Sequence, residues 1–216
     1  MASERMAAKR LSQRARIIDA ALAAFVARGF EATTMVDVAQ CLQMTGPALY
    51  HYFGTKDELL FACIEQRLDS LHAELSAAAA RPGTVIDRMA RVVRAQVAAE
   101  LKTGSAAPLV NAHLYGPQFL TDMLQTAQQE CLRLRQRALV QIYRTLIDEG
   151  TRSGDFKVGN GAVAAFNVLA VVQYAGVWYR PRKGHRKADV IEAQVTAALQ
   201  LLGVNRPGNL PDPQPT

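Results

Sequence analysis

Between Thr33 and Leu60 the chain reads TTMVDVAQCLQMTGPALYHYFGTKDELL, and no other stretch restricts its fold so tightly. Thr34 and Asp37 have the spacing of a capping box, with Asp where Glu or Gln is usual, so a helix opens near Thr34 and ends around Leu42. Thr45 can cap a second, very short helix from about Gly46 to Tyr52. Pro47 is tolerated there because first-turn amides have no intrahelical partner. Val38, Ala39 and Leu42 on the first helix, with Leu49 and Phe53 on the second, can form a small apolar knot that sets their angle. Thr45, Tyr50, His51 and Tyr52 are left facing outward. Thr55 and Glu58 then make a full Thr-x-x-Glu box, which opens a long amphipathic helix on Leu60, Ile64, Leu68, Leu71 and Leu75.

The rest of the chain predicts helix as well, so the fold class is all-α. Ala, Leu, Gln and Arg dominate, and no alternating Val/Thr/Tyr run is bounded by tight-turn residues. A first helix is expected from about Ser12 to Arg28, on Ile18, Leu22 and Phe25, with Gly29 as its C-cap. Its position ahead of two short helices joined by a tight turn is helix-turn-helix organisation. Further helices are expected from Val85 to Lys102, capped by Thr84 and Asp87, briefly near Ala107 to Tyr115, and from Pro117 to about Glu149. A nearly apolar helix from Asn160 to Arg180 is closed by Pro181, and a last one spans Ala188 to Leu202. Residues 1–54 are expected as a helix-turn-helix domain, with 1–10 a flexible arm. Residues 55–203 form a larger helical domain, and the Pro/Gly/Asn-rich 204–216 a disordered tail. The two domains share the fourth helix, with the natural boundary around Glu65 to Leu75.

A formal charge of +6 and a pI near 9.5 suit an anionic partner. Three scattered cysteines and four scattered histidines offer neither a disulfide framework nor a metal site, and they fit a reducing cytoplasm. The basic N-terminus has no following apolar run, so no signal peptide is expected. There is no Gly-rich phosphate loop, no GxSxG and no paired carboxylates, so no catalytic residue, cofactor or enzyme activity is expected. Ala162 to Tyr179 is nearly long enough to cross a bilayer, but Asn167 and Gln173 sit near its centre. It reads instead as a buried core or interface helix, with no membrane partner.

The stretch from Thr33 to Leu60 resembles the DNA-binding signature of the TetR family of repressors. The resemblance rests on paired threonines, Asp-Val-Ala at 37–39, Leu-Tyr-His-Tyr-Phe at 49–53, and Lys56 ahead of acidic residues. It runs over about the first sixty residues without a gap. It implies that Gly46, Pro47, Ala48, Tyr50 and His51 lie at or near the major groove of double-stranded DNA, with Thr45 capping their helix. Thr34, Tyr52 and Lys56 would lie near phosphates, and the target would be a palindromic operator read by a homodimer. Gln43 stands where the family usually has glycine. Either it takes a left-handed backbone, at a cost of about 1 kcal/mol for a non-glycine residue, or the turn is shaped differently. No Arg, Asn or Gln is placed for a bidentate base contact, so specificity leans on Tyr and His contacts, thymine methyls and DNA shape. Arg5, Lys9, Arg10, Arg14 and Arg16 either form a solvated face or add salt-dependent, sequence-blind affinity.

The last two helices are the expected dimer interface, because the penultimate one is too apolar for solvent. A ligand pocket is expected among the helices of about 85–180, lined by Met89, Val93, His113, Phe119, Met123, Tyr143, Phe166, Asn167, Gln173, Tyr174 and Trp178. Each of these also reads as an ordinary core residue. The segment YAGVWYRP, from Tyr174 to Pro181, resembles TetR relatives that sense acyl-CoA thioesters; Arg180, Arg182, Lys183, Arg186 and Lys187 would then face CoA phosphates, or else form a solvated loop between helices. A hydrophobic drug or metabolite is the other ligand class. In either case the ligand would release DNA by favouring the conformation whose recognition helices are wrongly spaced.

Overall fold

The computed structural model describes residues 2–102, 124–179 and 186–204. Among the described residues there are eight helices and no strand: α1 (Ala2–Arg28), α2 (Met35–Cys41), α3 (Gly46–Tyr50), α4 (Lys56–Ala80), α5 (Val85–Lys102), α6 (Thr126–Ser153), α7 (Gly161–Trp178) and α8 (Lys187–Leu201). The described parts of Met1–Ser70 and Ser105–Arg135 form one compact unit, and those of Leu71–Gly104 and Gln136–Thr216 a second. The division passes through α4 at Ser70 and through α6 at Arg135.

Two boundaries differ from expectation. α1 begins at Ala2, so residues 2–10 are helical and not a loose arm. Ala, Met, Lys and Arg, all good helix formers, make up most of that segment, and Glu4 sits in the first turn where the helix dipole favours an anion. The helix expected from Pro117 starts at Thr126 in its described part; the side chain of Gln128 accepts from the Gln125 amide at 3.0 Å and so caps it there. The short helix expected near Ala107 to Tyr115, the tail 205–216, and Arg180, Arg182 and Lys183 lie outside the described residues.

In the first unit Ile17, Ile18, Ala21 and Phe25 of α1 are buried with Val38 and Ala39 of α2, Leu49, Phe53, and Leu59, Leu60 and Ile64 of α4. Phe25 and Phe30 meet edge to face with centroids 5.1 Å apart. Gly29, at φ 86°, turns the chain out of α1, and its amide closes the last turn on the Phe25 carbonyl.

The turn between α2 and α3 is a Schellman cap. The Met44 amide donates to the Ala39 carbonyl at 2.9 Å and the Gln43 amide to the Gln40 carbonyl at 3.0 Å. That pattern requires a left-handed residue at Gln43, which has φ 55°. Gln43→Gly should relieve this strain, less the extra entropy glycine loses on folding, and so stabilise the domain by about 0.5–1 kcal/mol. Urea denaturation would read the gain; a lower midpoint would show that glycine's extra entropy loss outweighs the strain relieved.

In the second unit Met89, Val92, Val93 and Val97 of α5, Leu139, Tyr143, Leu146 and Ile147 of α6, Ala165, Val168 and Val172 of α7 and Val195, Ala198 and Leu199 of α8 are buried. α5, α7 and α8 pack against one another. A bidentate pair from Arg94 to Glu192 (2.6 and 2.7 Å) joins α5 to α8, and Arg88 joins α5 to Glu149 of α6 at 2.6 Å. Gly150 lies under the Phe156 ring so closely that a Cβ would fall inside it. Among the described residues α7 alone is long and apolar enough to cross a membrane by length and composition. Its Ala164, Ala165, Val168, Leu169, Val172, Ala175 and Gly176 are buried, whereas Val163, Phe166, Tyr174 and Trp178 lie on the opposite, exposed face.

Candidate nucleic-acid interface and ligand chamber

The outward surface of the short α3 follows from its anchoring. Leu49 is fully buried and points into the first unit, and so does Phe53 just beyond the helix. The intervening residues must face away: Tyr50 is 52% exposed, His51 and Pro47 are exposed, and Gly46, Ala48 and Tyr52 are half-buried. Thr45 is exposed and caps α3, accepting from the Ala48 amide at 3.4 Å. The result is a small outward face with the rings of Tyr50, His51 and Tyr52 and few other long side chains.

Thr34 and Lys56, expected near phosphates, also bond within the protein. The Thr34 hydroxyl donates to Asp37 Oδ2 at 2.7 Å and accepts from the Asp37 amide at 3.2 Å. These bonds with Thr34, together with its amide and then Arg28, hold the Asp37 carboxyl below its ordinary range. Lys56 Nζ donates to the Phe30 carbonyl at 3.0 Å and lies 4.2 Å from the Phe30 ring centroid. The ammonium therefore ties the start of α4 to the end of the α1 turn. That carbonyl partner lies 26 residues away, beyond the reach of local sequence spacing.

In the second unit, Met89 and Val93 on α5 and Tyr143 on α6 are fully buried. The Tyr143 hydroxyl donates to Gln96 Oε1 at 2.6 Å. Burial first, and the nearby Glu100 carboxylate second, push the phenol pKa upward, so Tyr143 stays protonated as a donor. Gln96 and Glu100 are themselves buried, and they lie seven and eleven residues beyond Met89 on the same stripe of α5. Sequence reading missed both, although that spacing was visible in it. Tyr143→Phe should leave Gln96 Oε1 without its donor and cost about 1–3 kcal/mol of stability. Thermal unfolding would measure it, and an unchanged midpoint would show that Gln96 finds another donor at no cost.

Residues 17–63 match the family model for bacterial regulatory proteins of the tetR family. Residues 82–202 match that for the tetracyclin repressor-like C-terminal domain. The chain belongs to the TetR family. It is 31% identical over 165 residues to the probable HTH-type transcriptional regulator ArpR of Pseudomonas putida, covering 71% of this chain and 74% of that one. A TetR/AcrR-family regulator from Thermobifida fusca superposes with a TM-score of 0.72 at 26% identity, over 90% of this chain and all (100%) of that chain. AibR, solved in complex with isovaleryl coenzyme A and operator DNA, shares the fold with a TM-score of 0.73 at 20% identity, over 85% and 96% of the two chains. Like its relatives, this TetR-family chain is a DNA-binding transcriptional regulator and not an enzyme.

Within this TetR-family fold the expected pocket residues separate into three groups. Met89, Val93 and Tyr143 are interior. His113, Phe119 and Met123 lie outside the described residues. Phe166, Asn167, Tyr174 and Trp178 are on the exposed face of α7, and Gln173 is half-buried beside them. A helix apolar on every side has no periodicity to say which face turns inward, so the sequence did not reveal that these residues share the outer face.

Proposed function

We propose that this regulator is a cytoplasmic homodimeric repressor that reads a palindromic operator through α3 and leaves it when a small apolar ligand binds the second unit. Residues 1–54 serve as its DNA-binding domain and 55–203 as its ligand-binding and dimerisation domain. Tyr50, His51, Pro47, Gly46 and Ala48 present the base-reading surface, with Thr45 and Tyr52 at its edges. The apolar outer face of α7, continued by α8, pairs with its copy in a second chain. Two protomers then set the spacing of two half-sites.

The buried Tyr143–Gln96 pair among Met89 and Val93 is the observation that carries the ligand reading. Each now satisfies the other, so a ligand would enter by displacing one partner and taking up its hydrogen bond in apolar surroundings. Glu100, buried beside Tyr143, disfavours an anion at that point. An acyl chain or a neutral lipophile suits it, and a CoA headgroup would have to lie elsewhere, as near Arg186 and Lys187. AibR, with its isovaleryl coenzyme A, keeps acyl-CoA in the panel to be tested.

The test is fluorescence anisotropy on DNA flanking the regulator's own gene, titrated with isovaleryl-CoA, long-chain acyl-CoA and uncharged lipophiles. An effective ligand should weaken binding at least tenfold, or about 1.4 kcal/mol of preference for the released state. Binding that no member of the panel changes would overturn the ligand reading and leave DNA recognition standing.

A further inference from the structure

The first turns of α1 have no packing role. Residues 4–12 are exposed throughout, including Met6 at 75% and Leu11 at 69%. At 1.5 Å per residue this segment extends about 14 Å beyond the packed part of the helix. Two contacts fix where it leaves the first unit. Gln13 Nε2 donates to Met44 Sδ at 3.2 Å, and the Arg14 guanidinium lies 4.7 Å from the Phe53 ring centroid. Met44 immediately precedes the Thr45 cap of α3, so the extension departs beside the N-terminal end of that helix.

Its charge is arranged in register. Arg5, Lys9, Ser12 and Arg16 fall four, three and four residues apart and share one stripe, while Arg10 continues the line of Arg14. Arg5, Lys9 and Arg10 are exposed, and none has an ion-pair partner among the described residues. An unpaired cationic helix growing from the edge of the turn that leads into α3 suits a polyanion held against α3. Double-stranded DNA, with a charge every ~1.7 Å of its axis, is such a partner.

We infer that the helical extension Ala2–Ser12 is a second DNA-binding element, in which Arg5, Lys9 and Arg10 grip phosphates flanking the half-site that α3 reads. This rests on DNA recognition by α3 and adds a backbone clamp to it. The clamp contributes affinity and salt dependence but no base discrimination, because its side chains meet only phosphate.

The experiment compares the full chain with R5Q/K9Q/R10Q, which keeps good helix formers at all three positions, on operator and on unrelated duplex over a range of salt. Circular dichroism checks that helicity is retained. The slope of log K against log salt should become shallower by about 0.9 for each phosphate that is no longer neutralised, equally on both duplexes. The charge-conserving R5K/R10K should keep the parent slope. A8P, which breaks the helix but leaves every charge, should lose slope as the glutamine variant does; retention of the parent slope by A8P would overturn the helical placement. An unchanged slope in R5Q/K9Q/R10Q would overturn the clamp, as would loss of binding to anionic phospholipid vesicles without any change on DNA. Failure of the parent itself to select operator over unrelated DNA would instead count against recognition by α3, a result distinct from all of these.

Discussion

Y50A/H51A is expected to abolish operator-specific binding while leaving the fold and the oligomeric state intact. Both side chains are exposed and neither fills the core, so removing them costs little stability. The short α3 has little else with which to meet base edges. Gly46, Pro47 and Ala48 can offer only backbone and methyl contacts, and Thr45 is used as a cap. Affinity for the operator should therefore fall to that for unrelated DNA, a loss of about 10³-fold or more. Electrophoretic shifts with specific and scrambled duplexes would measure it. Specific shifts surviving the double substitution would move base reading away from α3. The residual binding should still respond to salt, because phosphate contacts elsewhere are untouched.

F166E/Y174E is expected to convert the dimer to monomers. Both positions are more than 60% exposed in the single chain, at 63% and 62%, so carboxylates there are well solvated and the protomer should fold. In a dimer that buries the outer face of α7, the same substitutions would place four like charges in a dry seam. A buried, unpaired charge costs several kcal/mol, so the dimer dissociation constant should rise about 10³-fold or more. Sedimentation at micromolar concentration would show monomers, and operator affinity would fall with the loss of coupling between half-sites. A dimer that persisted would place the interface on another surface and return the exposed face of α7 to solvent or a different partner.

Much of the first unit was legible because its determinants are local. Thr34, Thr45 and Thr55 cap helices with partners three residues away, and the spacing of those partners is written in the chain. For the turn at Gln43 the sequence leaves open a left-handed residue or another shape, and the Schellman bonds to Ala39 and Gln40 decide for the first. By contrast, the bond from Lys56 to the Phe30 carbonyl, 26 residues away, left no sign in the sequence. The α1 extension was missed because no apolar period marks it. Its helicity rests on propensity alone, in residues that bury nothing.

For the second unit the balance shifts. Its helices and their caps follow from composition and spacing, but the use made of each face does not. α7 is apolar all round, and only packing against α5 and α8 decides that Ala165, Val168 and Val172 turn inward while Phe166, Tyr174 and Trp178 turn out. The Tyr143–Gln96 bond spans 47 residues and two helices, a distance over which no sequence period operates. The all-α class, the cap positions and the helix-turn-helix motif with its TetR signature were therefore set by sequence alone, through interactions within one or two helical turns. Which polar groups meet in the core, and which apolar face is left for a partner, only the tertiary structure decided, because both depend on contacts between distant segments.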